Sequence, residues 1–170
     1  MAELLIAKGW TPPDPLALDL EENLPERWTV VVGPTVWGCT LDAVVVTAQG
    51  LAVLHAREWT GTVHPAAQGD WHATLPDGSA QSLPNPAEEV RAAARALIKY
   101  LADEFPTLHP PLAHLVVLTG AATPSPEAAA AYPPVVPAAE LAILPNTTHM
   151  ATLTPLCMQI VLDFLLRQRD

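Results

Sequence analysis

The sequence predicts an α/β domain in which β-strands are flanked by helices, and three observations carry this. Two apolar strands surround an Ala48-Gln49-Gly50 turn between residues 41 and 58. A second apolar run covers residues 112–119. Amphipathic segments lie on both sides of these strands, at residues 14–23, 87–105 and 155–167, and alternating strand and helix patterns imply a layered α/β packing. The 170 residues suit one domain with a sizeable core. Half of them are hydrophobic, which excludes general disorder. The expected organisation is an N-terminal arm at residues 1–13 and a single domain over residues 14–170.

The arm is irregular and ends in Pro12-Pro13. The first helix opens with Asp14 as N-cap and Pro15 in its first turn, since an acid caps the free N–H groups and proline needs none. Leu16, Leu20 and Leu24 recur at helical spacing, and Pro25 stops the run. Residues 28–32 form the first strand, and Gly33-Pro34 turns the chain through Trp37 towards the hairpin. Residues 62–74 add a strand ending near Trp71, and Asp77-Gly78 signals a turn. The long helix over residues 87–105 buries a stripe of Val90, Ala94, Leu97, Ile98 and Leu101. After the strand at residues 112–119, residues 120–137 read as an exposed Ala/Pro-rich loop with a short turn at 126–131. Val135-Val136 is a last short strand, residues 140–144 a short helix, and Thr154 caps the final helix.

Within the hairpin, strand alternation puts Asp42 on one face with Val44 and Val46, and His55 on one face with Leu51, Val53 and Arg57. The short turn places Asp42 opposite His55 or Arg57, depending on register. A carboxylate, an imidazole and a guanidinium therefore converge at the open end of the ribbon. Glu58, one residue on, turns to the other face.

Charge argues against a nucleic-acid surface. Eight Lys and Arg oppose 18 Asp and Glu, a formal net charge of −10, whereas phosphate contacts require a basic patch. Arg91, Arg95 and Lys99 form one helical stripe placed to contact phosphate, although a solvated flank of an amphipathic helix has the same pattern and is preferred. Cys39 and Cys157 lie too far apart for a metal or redox motif. No segment has the apolar length to span a bilayer, and the first ten residues lack a leader pattern, so the expected location is cytoplasmic, away from membranes.

Asp42, the Gly50 turn, Trp59 and Gly61, Gly69-Asp70-Trp71 and Asn85-Pro86 stand in the order found in the nuclease-related domain (NERD) family. The chain resembles that branch of the PD-(D/E)xK endonuclease-like superfamily from about residue 14 to about residue 141. The resemblance implies a restriction-endonuclease-like α/β fold, a mixed β-sheet flanked by helices. It also implies a site in which two acids and a phosphate oxygen hold Mg²⁺, which activates water for phosphodiester hydrolysis.

The chain departs from the family where the chemistry lies. His55 stands at the position of the catalytic Glu, Arg57 at that of the Lys, and Glu89 near a frequent Gln. Mg²⁺ prefers oxygen donors and imidazole suits softer ions, while arginine holds its proton permanently. Only Asp42 carries over intact. A first-helix acid is drawn from Asp14, Asp19, Glu21 or Glu22. Asp42, His55 and Glu89 make a mixed oxygen and nitrogen set for a transition metal. Pairing of Arg57 with Asp42 or Glu89 is the favoured alternative, and it occupies the ligands that an ion needs. Trp10 and Trp37, in segments that look exposed, are candidate docking residues.

Two functions follow. The favoured one is a catalytically degenerate domain acting by binding, in DNA-linked processes among others, and with no cofactor. It would bind a protein partner, a second copy, or a nucleic-acid end held without cleavage, the last disfavoured by charge. The alternative is a nuclease using Asp42, His55 and Glu89 with a divalent ion, Mn²⁺ or Zn²⁺ before Mg²⁺.

Overall fold

The computed structural model describes residues 3–6, 16, 20, 22, 24, 28–36, 38–48, 50–107, 112–128, 131, 133–143, 158, 161–163, 165 and 166. Their strands are β1 (Glu3–Ile6), β2 (Thr29–Val32), β3 (Thr35–Val36), β4 (Cys39–Thr40), β5 (Ala43–Thr47) and β6 (Gly50–Arg57). There follow β7 (Thr62–His64), β8 (Trp71–Thr74), β9 (Ala80–Leu83), helix α1 (Ala87–Glu104), β10 (Leu112–Leu118), β11 (Thr123–Pro124) and β12 (Val135–Pro137). A 3-10 helix at Ala138–Ile143 comes after them.

The main sheet runs β1-β2-β5-β6-β10-β12. The β2-β5-β6 part is antiparallel, whereas β1 joins β2, and β10 joins both β6 and β12, in parallel. The central hairpin has Thr47 opposite Gly50 and Ala43 opposite Leu54, the register that a two-residue connection dictates. Strand alternation sorts the apolar residues into two layers. Val31, Val44, Val46, Leu51 and Val53 pack with Ala93, Leu97, Tyr100 and Leu101 of α1. Val30, Val32, Ala43, Val45, Leu54 and Val117 pack on the other side with Leu16, Leu20 and Leu24. Both faces are covered, which is why β2 and β5 read as continuous apolar runs instead of alternating ones. The result is an α/β layered fold consistent with a restriction-endonuclease-like architecture. No helix among the described residues is long and apolar enough to cross a membrane.

A second sheet runs β11-β7-β8-β9; β7, β8 and β9 lie between β6 and α1 in the chain, and β11 joins them from beyond β10. Its inner face of Val63, Trp71, Ala73 and Leu83 packs on Val90 of α1 and on Val116 and Leu118 of β10. Asn85 fixes the start of α1. Its Oδ1 accepts from the Ala87 N–H at 2.9 Å, and its Nδ2 donates to the Gly69 carbonyl at 3.0 Å. The Trp71 indole N–H donates to the Ala66 carbonyl at 3.1 Å, and Trp59 meets Trp71 edge-on with ring centroids 6.2 Å apart.

Several sequence expectations are corrected. Residues 3–6 are a strand rather than an irregular arm, because their backbone completes a parallel ladder on β2. Residues 62–74 divide into two antiparallel strands, and β9 follows the Asp77-Gly78 turn although three of its four residues are exposed. The short β3-β4 hairpin was not expected. Residues 120–137 are not simply an exposed loop: β11 pairs with β7, and Ala122, Ser125 and Ala128 are buried. Ile98 is 53% exposed and so lies off the buried stripe of α1, which holds Val90, Ala93, Ala94, Leu97, Tyr100 and Leu101. The expected Asp14 cap and the Thr154 cap lie outside the described residues.

Candidate functional site

The site forms where β6 ends beside the first turn of α1. His55 lies two residues beyond Val53 on the α1-facing side of β6 and is 2% exposed. Burial, and then the adjacent Arg57 charge, lower its pKa from 6.5 to about 4; Glu89 acts to raise it and His114 to lower it. The imidazole is therefore neutral near pH 7. Its Nε2 is buried without a hydrogen-bond partner among the described residues.

Arg57, next on the same face, is the hub of the polar cluster. Its Nη2 donates to Glu89 Oε2 at 2.6 Å, and its Nη1 donates to the Ala56 carbonyl at 2.7 Å. The same Nη1 stands 3.7 Å from Asp42 Oδ2. Asp42 is held from two sides. Its carbonyl accepts from the Gly33 N–H at 3.0 Å, and its Oδ2 accepts from the Ala56 N–H at 2.8 Å. One guanidinium thus bridges two carboxylates that belong to different elements, Asp42 at the head of β5 and Glu89 in the first turn of α1. At 19% side-chain exposure it is partly shielded from water, which strengthens charge-assisted bonds.

His114 completes the floor. Parallel pairing puts it opposite Val53 and Val116 opposite His55, so the two imidazoles are diagonal neighbours on one face. Burial, and then the Arg91 charge, lower the His114 pKa. Sequence reasoning assigned His114 no role. The parallel β6-β10 register that brings it here joins distant segments, and no local pattern reveals it.

The other sequence candidates disperse. Arg91 pairs with Glu88 at 2.6 Å and lies near enough to His114 to act on it. Arg95 and Lys99 lie farther along the exposed side of α1. Glu58 is exposed beyond the end of β6, and Glu22 is exposed. Asp14, Asp19, Glu21, Trp10 and Trp37 lie outside the described residues. Among the described residues, no group of three or more His, Cys, Asp or Glu side chains stands close enough to hold a metal ion. In the set of Asp42, His55 and Glu89, it is the Arg57 cation that stands against the two acids.

The pieces that surround this cluster are tied together physically. Gly61 adopts φ 79°, and a Cβ there would overlap the Thr74 carbonyl oxygen. The Gly69 carbonyl and Trp71 are linked to the start of α1 through Asn85 and the second-sheet core. No curated protein and no solved structure matches the chain. A family model does match: the nuclease-related domain, over residues 15–119. That span holds Asp42, His55, Arg57, Glu89 and the glycine and tryptophan framework, so the chain belongs to the nuclease-related domain family of the PD-(D/E)xK-like nuclease superfamily.

Proposed function

We propose that this nuclease-related domain is catalytically degenerate and acts by binding a protein, either a partner or a second copy of itself. The observation that carries the reading is the Arg57 guanidinium set between Glu89, at 2.6 Å, and Asp42, at 3.7 Å. A hydrolytic site of this superfamily needs that space for a cation and its water. A fixed guanidinium competes with any divalent ion for the same two carboxylates, and it has no proton to give or take.

His55 adds to this. A neutral imidazole supplies one nitrogen where Mg²⁺ requires an anionic oxygen. The donors present therefore do not suit Mg²⁺. The net charge of −10 further weakens attraction to a polyanion, which supports a protein partner over nucleic acid.

The test is incubation of the chain with supercoiled and single-stranded DNA in Mg²⁺, Mn²⁺, Zn²⁺ and Ni²⁺, with Asp42→Ala as control. No cleavage under any ion is expected. Cleavage that Asp42→Ala abolishes would replace this reading with the metal-dependent nuclease based on Asp42, His55 and Glu89. The double substitution His55→Glu with Arg57→Lys is expected to create Mg²⁺ binding detectable by calorimetry, because it restores an oxygen donor and removes the bridging fork.

A further inference from the structure

The second sheet carries a pair of histidines that the Arg57 cluster does not use. His64 on β7 is paired directly with His72 on β8. Their rings stack with centroids 4.6 Å apart and planes inclined by 13°. Alternation sends them to the outer face of the sheet, since Val63, Trp71 and Ala73 between and beside them are buried on the inner face. His72 is exposed and His64 half-buried, so neither ring is part of the core.

We propose that His64 and His72 together form a transition-metal site for Cu²⁺, Ni²⁺ or Zn²⁺, open to further ligands from solvent. Imidazole nitrogens are preferred donors for these ions. At metal–nitrogen lengths of about 2.0–2.1 Å, two nitrogens on one ion stand roughly 3 Å apart. The ring centroids stand 4.6 Å apart, so the rings must tilt towards each other to bring two nitrogens to that spacing, and rotation about the soft χ2 torsion supplies the tilt. The backbone beneath is rigid, because Trp71 is fully buried and its indole N–H is bonded to Ala66. Little ordering is then left to oppose binding.

The surroundings agree with a cation. His64 Nε2 lies 3.1 Å from Thr74 Oγ1. A hydroxyl that accepts from Nε2–H leaves Nδ1 as the lone-pair donor, the arrangement by which partners orient metal-binding imidazoles. Ser82, opposite His72 in the β8-β9 ladder, donates to Asp70 Oδ2 at 3.0 Å and so anchors a carboxylate on this side of the sheet. Glu127 is near enough to His64 to feel its charge. No third side chain joins as a ligand among the described residues. The ion therefore keeps coordination positions free for water or for a donor from another molecule.

The experiment is calorimetric titration of the full chain with Cu²⁺, Ni²⁺ and Zn²⁺, repeated on His64→Asn, His72→Asn and the double variant, with Asp42→Ala as control. Expected are binding tightest for Cu²⁺, weakening of about tenfold or more in each single variant, loss of that site in the double variant and no change in Asp42→Ala. A double variant that binds as the parent does would overturn the proposal. A second measurement needs no substitution: substoichiometric Cu²⁺ should broaden the imidazole resonances of His64 and His72 before any other. If those two signals persist while others vanish, the stacked pair is packing alone.

Discussion

His55 is a buried titratable group whose Nε2 has no hydrogen-bond partner among the described residues, and its burial couples folding to pH. Its pKa in the folded chain is about 4, against 6.5 for the ordinary imidazole. The unfolded chain therefore takes up the proton first as pH falls. Stability from this residue is complete above pH 6.5 and is lost progressively between 6.5 and 4. The gap corresponds to roughly 3 kcal/mol. Urea midpoints measured at pH 7, 5.5 and 4.5 should fall steadily, and His55→Leu should flatten the slope.

Arg57 behaves differently, because Asp42 and Glu89 are 41% and 65% exposed in their side chains. Screening by water limits Arg57→Ala to about 1 kcal/mol of lost stability, read from the same midpoints. Much of this neighbourhood was legible in the sequence. Alternation placed His55 and Arg57 on one face, and Asn85-Pro86 marked the helix that presents Glu89. The second imidazole, His114, was not, because its place depends on which distant strand lies beside β6.

At the scale of elements, connections matter as much as strands. Gly61 sits between β6 and β7 at φ 79° with the Thr74 backbone against it. Gly78, in the β8-β9 turn, has φ 84° but open space around it. Gly61→Ala must meet both the backbone strain and the clash, whereas Gly78→Ala meets only the strain. Thermal unfolding should show Gly78→Ala costing about 1 kcal/mol and Gly61→Ala clearly more, about 2–3 kcal/mol. In α1, Leu97 is fully buried between the helix and the main sheet. Leu97→Ala should cost about 2–5 kcal/mol by leaving a cavity.

The apolar strands and α1 were readable because their periods are strong. The strands β9 and β11 were not: Ala80–Leu83 is mostly polar and exposed, and Thr123–Pro124 contains a proline. Such short edge strands exist through backbone pairing with a partner already in place, which leaves little trace in side-chain pattern.

At the scale of the whole molecule, charge and topology set behaviour in solution. With a net charge of −10, the chain should not retard duplex DNA in a gel at low salt, where any phosphate contact would be strongest. Retardation that weakens steeply as salt is raised would mean that Arg91, Arg95 and Lys99 outweigh the acidic excess. The layered architecture was legible from the arrangement of apolar runs. The presence of a separate second sheet was not, since its strands are short and only its inner face is apolar.

The stretch from β7 to α1, which separates β6 from β10, also bears on how the chain reaches its native state. Leu51 and Leu112 face each other in the β6-β10 ladder, 112 − 51 = 61 positions apart. Zippering of this seam must wait for a long stretch of polypeptide to loop back, and search over such sequence distances slows collapse to order. Refolding after a denaturant jump should therefore gain β5-β6 hairpin protection early and the β10 amides late, a succession that pulsed hydrogen exchange would resolve.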